Sequence, residues 1–125
     1  MKDEATGPPA DLRDRTKAFA LRVIKLFGAL PRQTVAQVLG KQLLRSGTSV
    51  GANYREAYRA RSDAEFVAKL GDCLKELDET AYWLELLAES GILPVELLAL
   101  LQDECNQLIA IFTTISKRVK SHART

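Results

Sequence analysis

Three short breaks constrain this chain more than any other feature. Pro31 with Gly28, the segment Ala60 to Ser62, and Gly91 to Leu93 interrupt a sequence that otherwise carries apolar residues at spacings of three and four. Four amphipathic helices joined by connections this short must reverse direction at each one. The expected fold is therefore all-α, an antiparallel up-down-up-down four-helix bundle.

The first helix is expected from about Asp11 to Leu30, with Phe19, Val23, Leu26 or Phe27, and Leu30 on its apolar face. The second runs from between Arg32 and Thr34 to about Arg59. It uses Val35, Val38, Leu39, Leu43, Val50, Tyr54 and Ala57. Gly47 and Gly51 sit inside it and weaken it by roughly 1 kcal/mol each against alanine. They allow either a bend or the close approach of a neighbouring helix. Ser62-Asp63-Ala64-Glu65 forms a capping box, in which the serine hydroxyl and the glutamate carboxylate each accept from a free backbone N–H. Phe66, Leu70, Cys73, Leu77, Ala81, Leu84 and Leu87 continue that third helix to Ser90-Gly91, where glycine suits a left-handed stop. Pro94 opens the fourth. There Leu97, Leu101, Cys105, Leu108, Phe112, Ile115 and Val119 repeat close to the 3.5-residue period of a bundle seam. Lys117, Arg118 and Lys120 complement the dipole at its end. The bundle is expected over 11–120, with tails at 1–10 and 121–125.

At 125 residues the chain can bury one modest core. Its net charge of +2 hides an asymmetry: Met1 to Arg61 carries +7, Ser62 to Thr125 carries −5. Such halves pair within the fold, pair between copies, or aim a basic surface at a polyanion. No apolar run is long enough to span a membrane, and the N-terminus lacks the apolar stretch of a signal peptide. Cys73 and Cys105 lie inside helical patterns without a CxxC pair, as expected of buried reduced thiols in a cytoplasmic protein.

Helix two also carries a polar stripe. Arg45, Ser49, Asn53 and Glu56 share one face at spacings of four, four and three. Small polar residues are poor helix formers, so a stripe of them points to a half-buried hydrogen-bond network as well as to a solvated face. Glu56 or Glu76 would be the carboxylate that Arg45 reaches. Basic and aromatic residues interleave from Tyr54 to Arg61. Tyr54 and Tyr58 share a face, as do Arg55 and Arg59. With Arg61, and with Arg15, Arg22 and Lys25 on helix one, they form a candidate surface for RNA or DNA. The same arginines could instead pair with the acidic third helix.

Catalytic and metal chemistry find no support in these residues. The single histidine, His122, lies in the expected tail, there is no Glu-x-x-His pair, and Ser46 and Ser49 lack a neighbouring base. No phosphate-binding glycine loop is present. The expected protein is not an enzyme, and it needs no cofactor and no metal.

The run Arg45-Ser46-x-x-Ser49-Val50-x-x-Asn53-x-x-Glu56-Ala57, then Glu65-Phe66, Leu70-Gly71, Leu74-Lys75-Glu76-Leu77 and Glu79-Thr80-x-x-Trp83-Leu84, resembles the signature of the bacterial four-helix bundle proteins, also called ribosomal-RNA intervening-sequence proteins. Ala57 stands where that family pattern has glycine. The resemblance spans roughly Val23 to Val119. It implies a bundle that assembles into a ring, commonly a homopentamer, with a biochemical role that is poorly defined. Some members of the family are encoded within ribosomal-RNA insertions, and a related branch binds nucleic acid alongside reverse transcriptases. Assembly with itself, likewise implied by the polar stripe and the charge asymmetry, is the first functional expectation. Binding of RNA or DNA is the second.

Overall fold

The computed structural model describes residues 9–123 of the chain. It contains four helices, α1 (Pro9–Gly28), α2 (Thr34–Tyr58), α3 (Asp63–Glu89) and α4 (Val95–Ala123), and among the described residues no strand. Of the expected tails, 1–8 and 124–125 lie outside the described residues. Pro9, Ala10 and 121–123 are helical, so His122 belongs to the last turn of α4.

The helix ends follow local chemistry. The Ser62 hydroxyl accepts from the Glu65 N–H at 3.1 Å, and the Glu65 carboxylate accepts from the Arg61 N–H at 3.0 Å. One N-terminal donor of α3 is thereby satisfied, and the carboxylate ties down the connection one residue before the N-cap rather than the N-cap N–H itself. At its other end Gly91 has φ +73°, the left-handed conformation that releases the chain from the helix. α4 starts at Val95, one residue after Pro94, whose carbonyl accepts from the Leu97 N–H at 3.0 Å.

α2 is continuous through both internal glycines. They serve close approach rather than a bend. A Cβ on Gly47 would sit 2.8 Å from Val23 Cγ2, and one on Gly51 would sit 3.3 Å from the Thr16 hydroxyl. Gly40 is closed in the same way by Leu30 and Phe27. Reading up α2, these three glycines meet Leu30, Val23 and Thr16, so α1 runs antiparallel to α2. The pairs Ser46–Thr80, Val50–Cys73 and Glu56–Lys69 show the same for α2 and α3.

The core joins Phe19, Val23, Leu43, Val50, Tyr54, Leu70, Leu77, Leu84, Leu98, Leu108 and Phe112, all inaccessible or nearly so. Tyr54 and Phe112 pack with ring centroids 5.5 Å apart. Burying side chains of this size contributes about 1.5–3 kcal/mol each before the entropy of folding is charged against it. Three expected core positions are exposed instead. Val35, Val38 and Leu97 each keep more than half of their surface in solvent. On α4 the buried register starts at Leu98 and ends at Ser116, while Ile115 and Val119 are half-buried. The cause is visible in the sequence, where leucines stand side by side at 97–98 and 100–101, so either member of each pair can face inward. α1 and α4 make the fewest contacts of the neighbouring helix pairs.

Candidate functional site: a bundle with two unlike ends

The polar stripe of α2 faces α3. Arg45 donates from Nη2 to Glu79 at 2.5 Å and from Nη1 to Glu76 at 3.4 Å. The hydrogen bond to Glu79 raises the Arg45 pKa further above its ordinary value. Glu56 does not reach Arg45. It accepts from Lys69 at 2.5 Å, one helical segment closer to the α2–α3 connection. Ser49 donates to the Arg45 carbonyl at 2.7 Å, within its own helix, and Asn53 is half-buried without a partner among the described residues. Arg45 keeps 52% of its side chain exposed, so the ion pair sets register more than it adds stability. Sequence reasoning named Glu76 as a partner and missed Glu79 and Lys69. Their signal was acidic and basic residues on the α3 face that follows the capping box.

The expected nucleic-acid residues separate into different surfaces. Arg15 turns to α4, where Glu104 accepts from Nε at 2.7 Å and from Nη2 at 2.9 Å, with Gln107 also in reach. That hydrogen-bonded carboxylate raises the Arg15 pKa. Arg22 lies two turns along the same face and Lys25 beside it, both exposed. Arg61 is exposed in the α2–α3 connection. Tyr54 is fully buried, which removes it from any surface role. Arg55 and Arg59 do meet a basic partner, and it is one the sequence reading passed over. Arg13 and Lys17 of α1, with Asp14, close a concavity against Arg55, Tyr58 and Arg59. The Arg13 guanidinium lies 4.0 Å from the centroid of the Tyr58 ring. The signal was an i, i+4 basic pair on each of two antiparallel helices.

The opposite end of the bundle carries most of the exposed apolar side chains. Leu21, Ile24, Val35, Val38, Tyr82, Val95, Leu97 and Leu100, eight of the nine large exposed hydrophobic residues among those described, lie near the end built from the α1–α2 and α3–α4 connections. Each is within about 10 Å of its helix terminus by the rise of 1.5 Å per residue. Leu100 is 74% exposed. Trp83, the one tryptophan of the chain, is half-buried beside this end with its ring 5.2 Å from that of Tyr82.

Neither end offers reactive groups in a constellation. Both thiols are buried, and burial pushes each up to about 12, so they stay protonated. Among the described residues no three histidine, cysteine or acidic groups are placed to hold a metal, and no helix is long and apolar enough to cross a membrane.

A family model described as the 23S rRNA-intervening sequence protein matches residues 10–114. Among solved structures the chain is similar to a crystal structure of a protein of unknown function from the S23 ribosomal protein family of Bacteroides thetaiotaomicron. The two share 38% identity over 87% of this chain and 97% of that one, with a TM-score of 0.81. None of the curated proteins matches.

Proposed function

The chain belongs to the 23S rRNA-intervening sequence protein family, and from that premise we propose that it acts by self-assembly, as a non-enzymatic scaffold built from a ring of identical copies. The observation that carries this reading is the gathering of eight large exposed apolar side chains at one end of the bundle. Single surface hydrophobics spread over a protein are ordinary, whereas their concentration at one end favours a surface that a partner covers.

Identical copies are the favoured partner because the charge asymmetry follows the architecture. The basic half of the sequence forms α1 and α2, and the acidic half forms α3 and α4. Some of that charge is matched internally, through Arg15–Glu104, Arg45–Glu76 and Arg45–Glu79. The remainder suits a head-to-tail contact, basic side to acidic side, and head-to-tail contacts close into rings. The family resemblance gives five as the expected ring size.

Paired substitution of Leu97→Glu and Leu100→Glu tests the reading. Both side chains are exposed, so the fold keeps its core while the apolar end gains two charges. The expected result is a smaller assembly at unchanged helicity. An unchanged assembly would remove this end from the interface.

A further inference from the structure

The basic concavity at the other end is longer than its mouth suggests. From Arg13, Lys17 and Arg55 it continues along the α1–α2 seam over Ala20, Thr48, Gly51 and Ala52. Measured along α2 from Thr48 to Arg59, the groove is about 16 Å long at 1.5 Å per residue. Small side chains line this stretch, so a ligand can lie against both walls. Among the described residues four cationic groups, Arg13, Lys17, Arg55 and Arg59, stand against the single carboxylate of Asp14.

This grouping is mildly unfavourable for the fold. Arg15, Arg45 and Lys69, which also sit between helices, each hold a carboxylate. Among the described residues the four groove cations hold none. Arg13 and Lys17 are a like-charge pair at i, i+4, and so are Arg55 and Arg59, an arrangement that destabilises a helix. The two pairs then face each other across a seam that small residues draw tight. A bound anion would offset that repulsion.

We propose that this groove binds the phosphodiester backbone of a single-stranded nucleic acid. Three of the four cations are arginines, whose planar forks match phosphate oxygens two at a time. Tyr58 supplies an exposed ring that Arg13 holds in place, and both an aromatic face and a guanidinium plane accept unstacked bases. The groove is only one helix seam wide, which suits one strand. The inference goes beyond self-assembly, and its test reads the basic α1–α2 seam whereas the assembly test reads the apolar side chains at the other end, so either test can fail without the other.

The test is fluorescence anisotropy of labelled twelve-nucleotide single strands of RNA and DNA, with a duplex of the same sequence and poly-glutamate as competitors. Three variants of the full chain are compared. Lys17→Glu with Arg55→Glu reverses the groove, and Lys17→Gln with Arg55→Gln neutralises it. Arg22→Glu with Lys25→Glu makes the same charge change on another face, Arg22 being half a turn round α1 from Arg13. The groove reversal is expected to weaken single-strand binding more than tenfold, the neutral variant to fall between, and the control to stay within about twofold. Four phosphate contacts give a log–log salt slope of about −2.8, which flattens in the groove variants. Equal losses in groove and control variants, or absent binding by the parent, would overturn the proposal. So would tighter binding of the duplex, or competition by poly-glutamate as strong as by single strands. A groove variant that changes the assembly mass would reassign the groove to contact between copies.

Discussion

Ser46 of α2 and Thr80 of α3 face each other across a sealed seam, their hydroxyl oxygens 2.8 Å apart and both side chains fully buried. Thr80 also lies 2.8 Å from the Glu76 carbonyl, and Ser46 lies 3.3 Å from that of Leu43. One residue before each, Arg45 and Glu79 form the ion pair on the outer edge of the same layer. A slip of one residue between α2 and α3 would part both the hydroxyls and the ions. This pair fixes the register between the two helices with the most extensive contact.

Removal of one hydroxyl, by Ser46→Ala or Thr80→Val, is expected to cost about 1–2 kcal/mol, because the other loses its cross-helix partner. The double variant is expected to cost less than the sum, since the one cross-helix bond is already lost in either single variant. Urea melts of the four proteins measure the coupling. Strict additivity would mean that the two groups act independently.

Gly47 and Gly71 should respond to alanine in opposite directions. Nothing lies within 4 Å of a Cβ at Gly71, so the helix gains about 0.5–1 kcal/mol there. At Gly47 the new methyl would meet both γ-carbons of Val23, at 2.8 and 2.9 Å. Overpacking of about 1–3 kcal/mol outweighs the gain in propensity. Thermal melts with opposite shifts in Tm are expected. A stabilised Gly47→Ala would show that α1 is free to move away.

Stability should fall steeply in alkali. Cys73 and Cys105 rise from 9.0 to about 12 on folding, and Tyr54 rises from 10.0 to about 12, each chiefly through burial. Raised values mean that the native state keeps protons which the unfolded state releases. The stabilisation is therefore complete below pH 9 and is lost as pH climbs from 9 to 12. Each thiol contributes a slope of about 1.4 kcal/mol per pH unit between 9 and 12, and Tyr54 a similar slope only between 10 and 12. Denaturant midpoints from pH 8 to 11 test this, and thiol labelling at pH 8 should follow global unfolding. Rapid labelling of the folded protein would contradict the burial.

How much of this was legible in the sequence depended on how local the cause was. The capping box at Ser62 and the left-handed Gly91 act within a few residues, and both could be read directly. The continuity of α2 could not, because the cost of Gly47 and Gly51 within the helix is offset by Val23 and Thr16 on another one. Leu97 and Leu98 offer two registers that only packing separates. The stripe on α2 was visible, but Lys69 and Glu79 were needed to say what it meets. Arg13 and Lys17 stayed hidden because a groove needs two walls, and its second wall lies about forty residues further along the chain.

Trp83 gives the apolar end its own reporter. As the one tryptophan, half-buried beside Tyr82 in the α3 turns nearest this end, it should emit further to the red when copies separate on dilution. Emission independent of concentration from nanomolar to tens of micromolar, in a protein whose mass does change, would place the contact elsewhere.

The most direct test of self-assembly is the mass of the purified chain by multi-angle light scattering at micromolar concentration, free of nucleic acid. A discrete multiple of the 13.8 kDa protomer is expected, with five as the number the family resemblance implies. A single species at 13.8 kDa under those conditions would contradict the central claim.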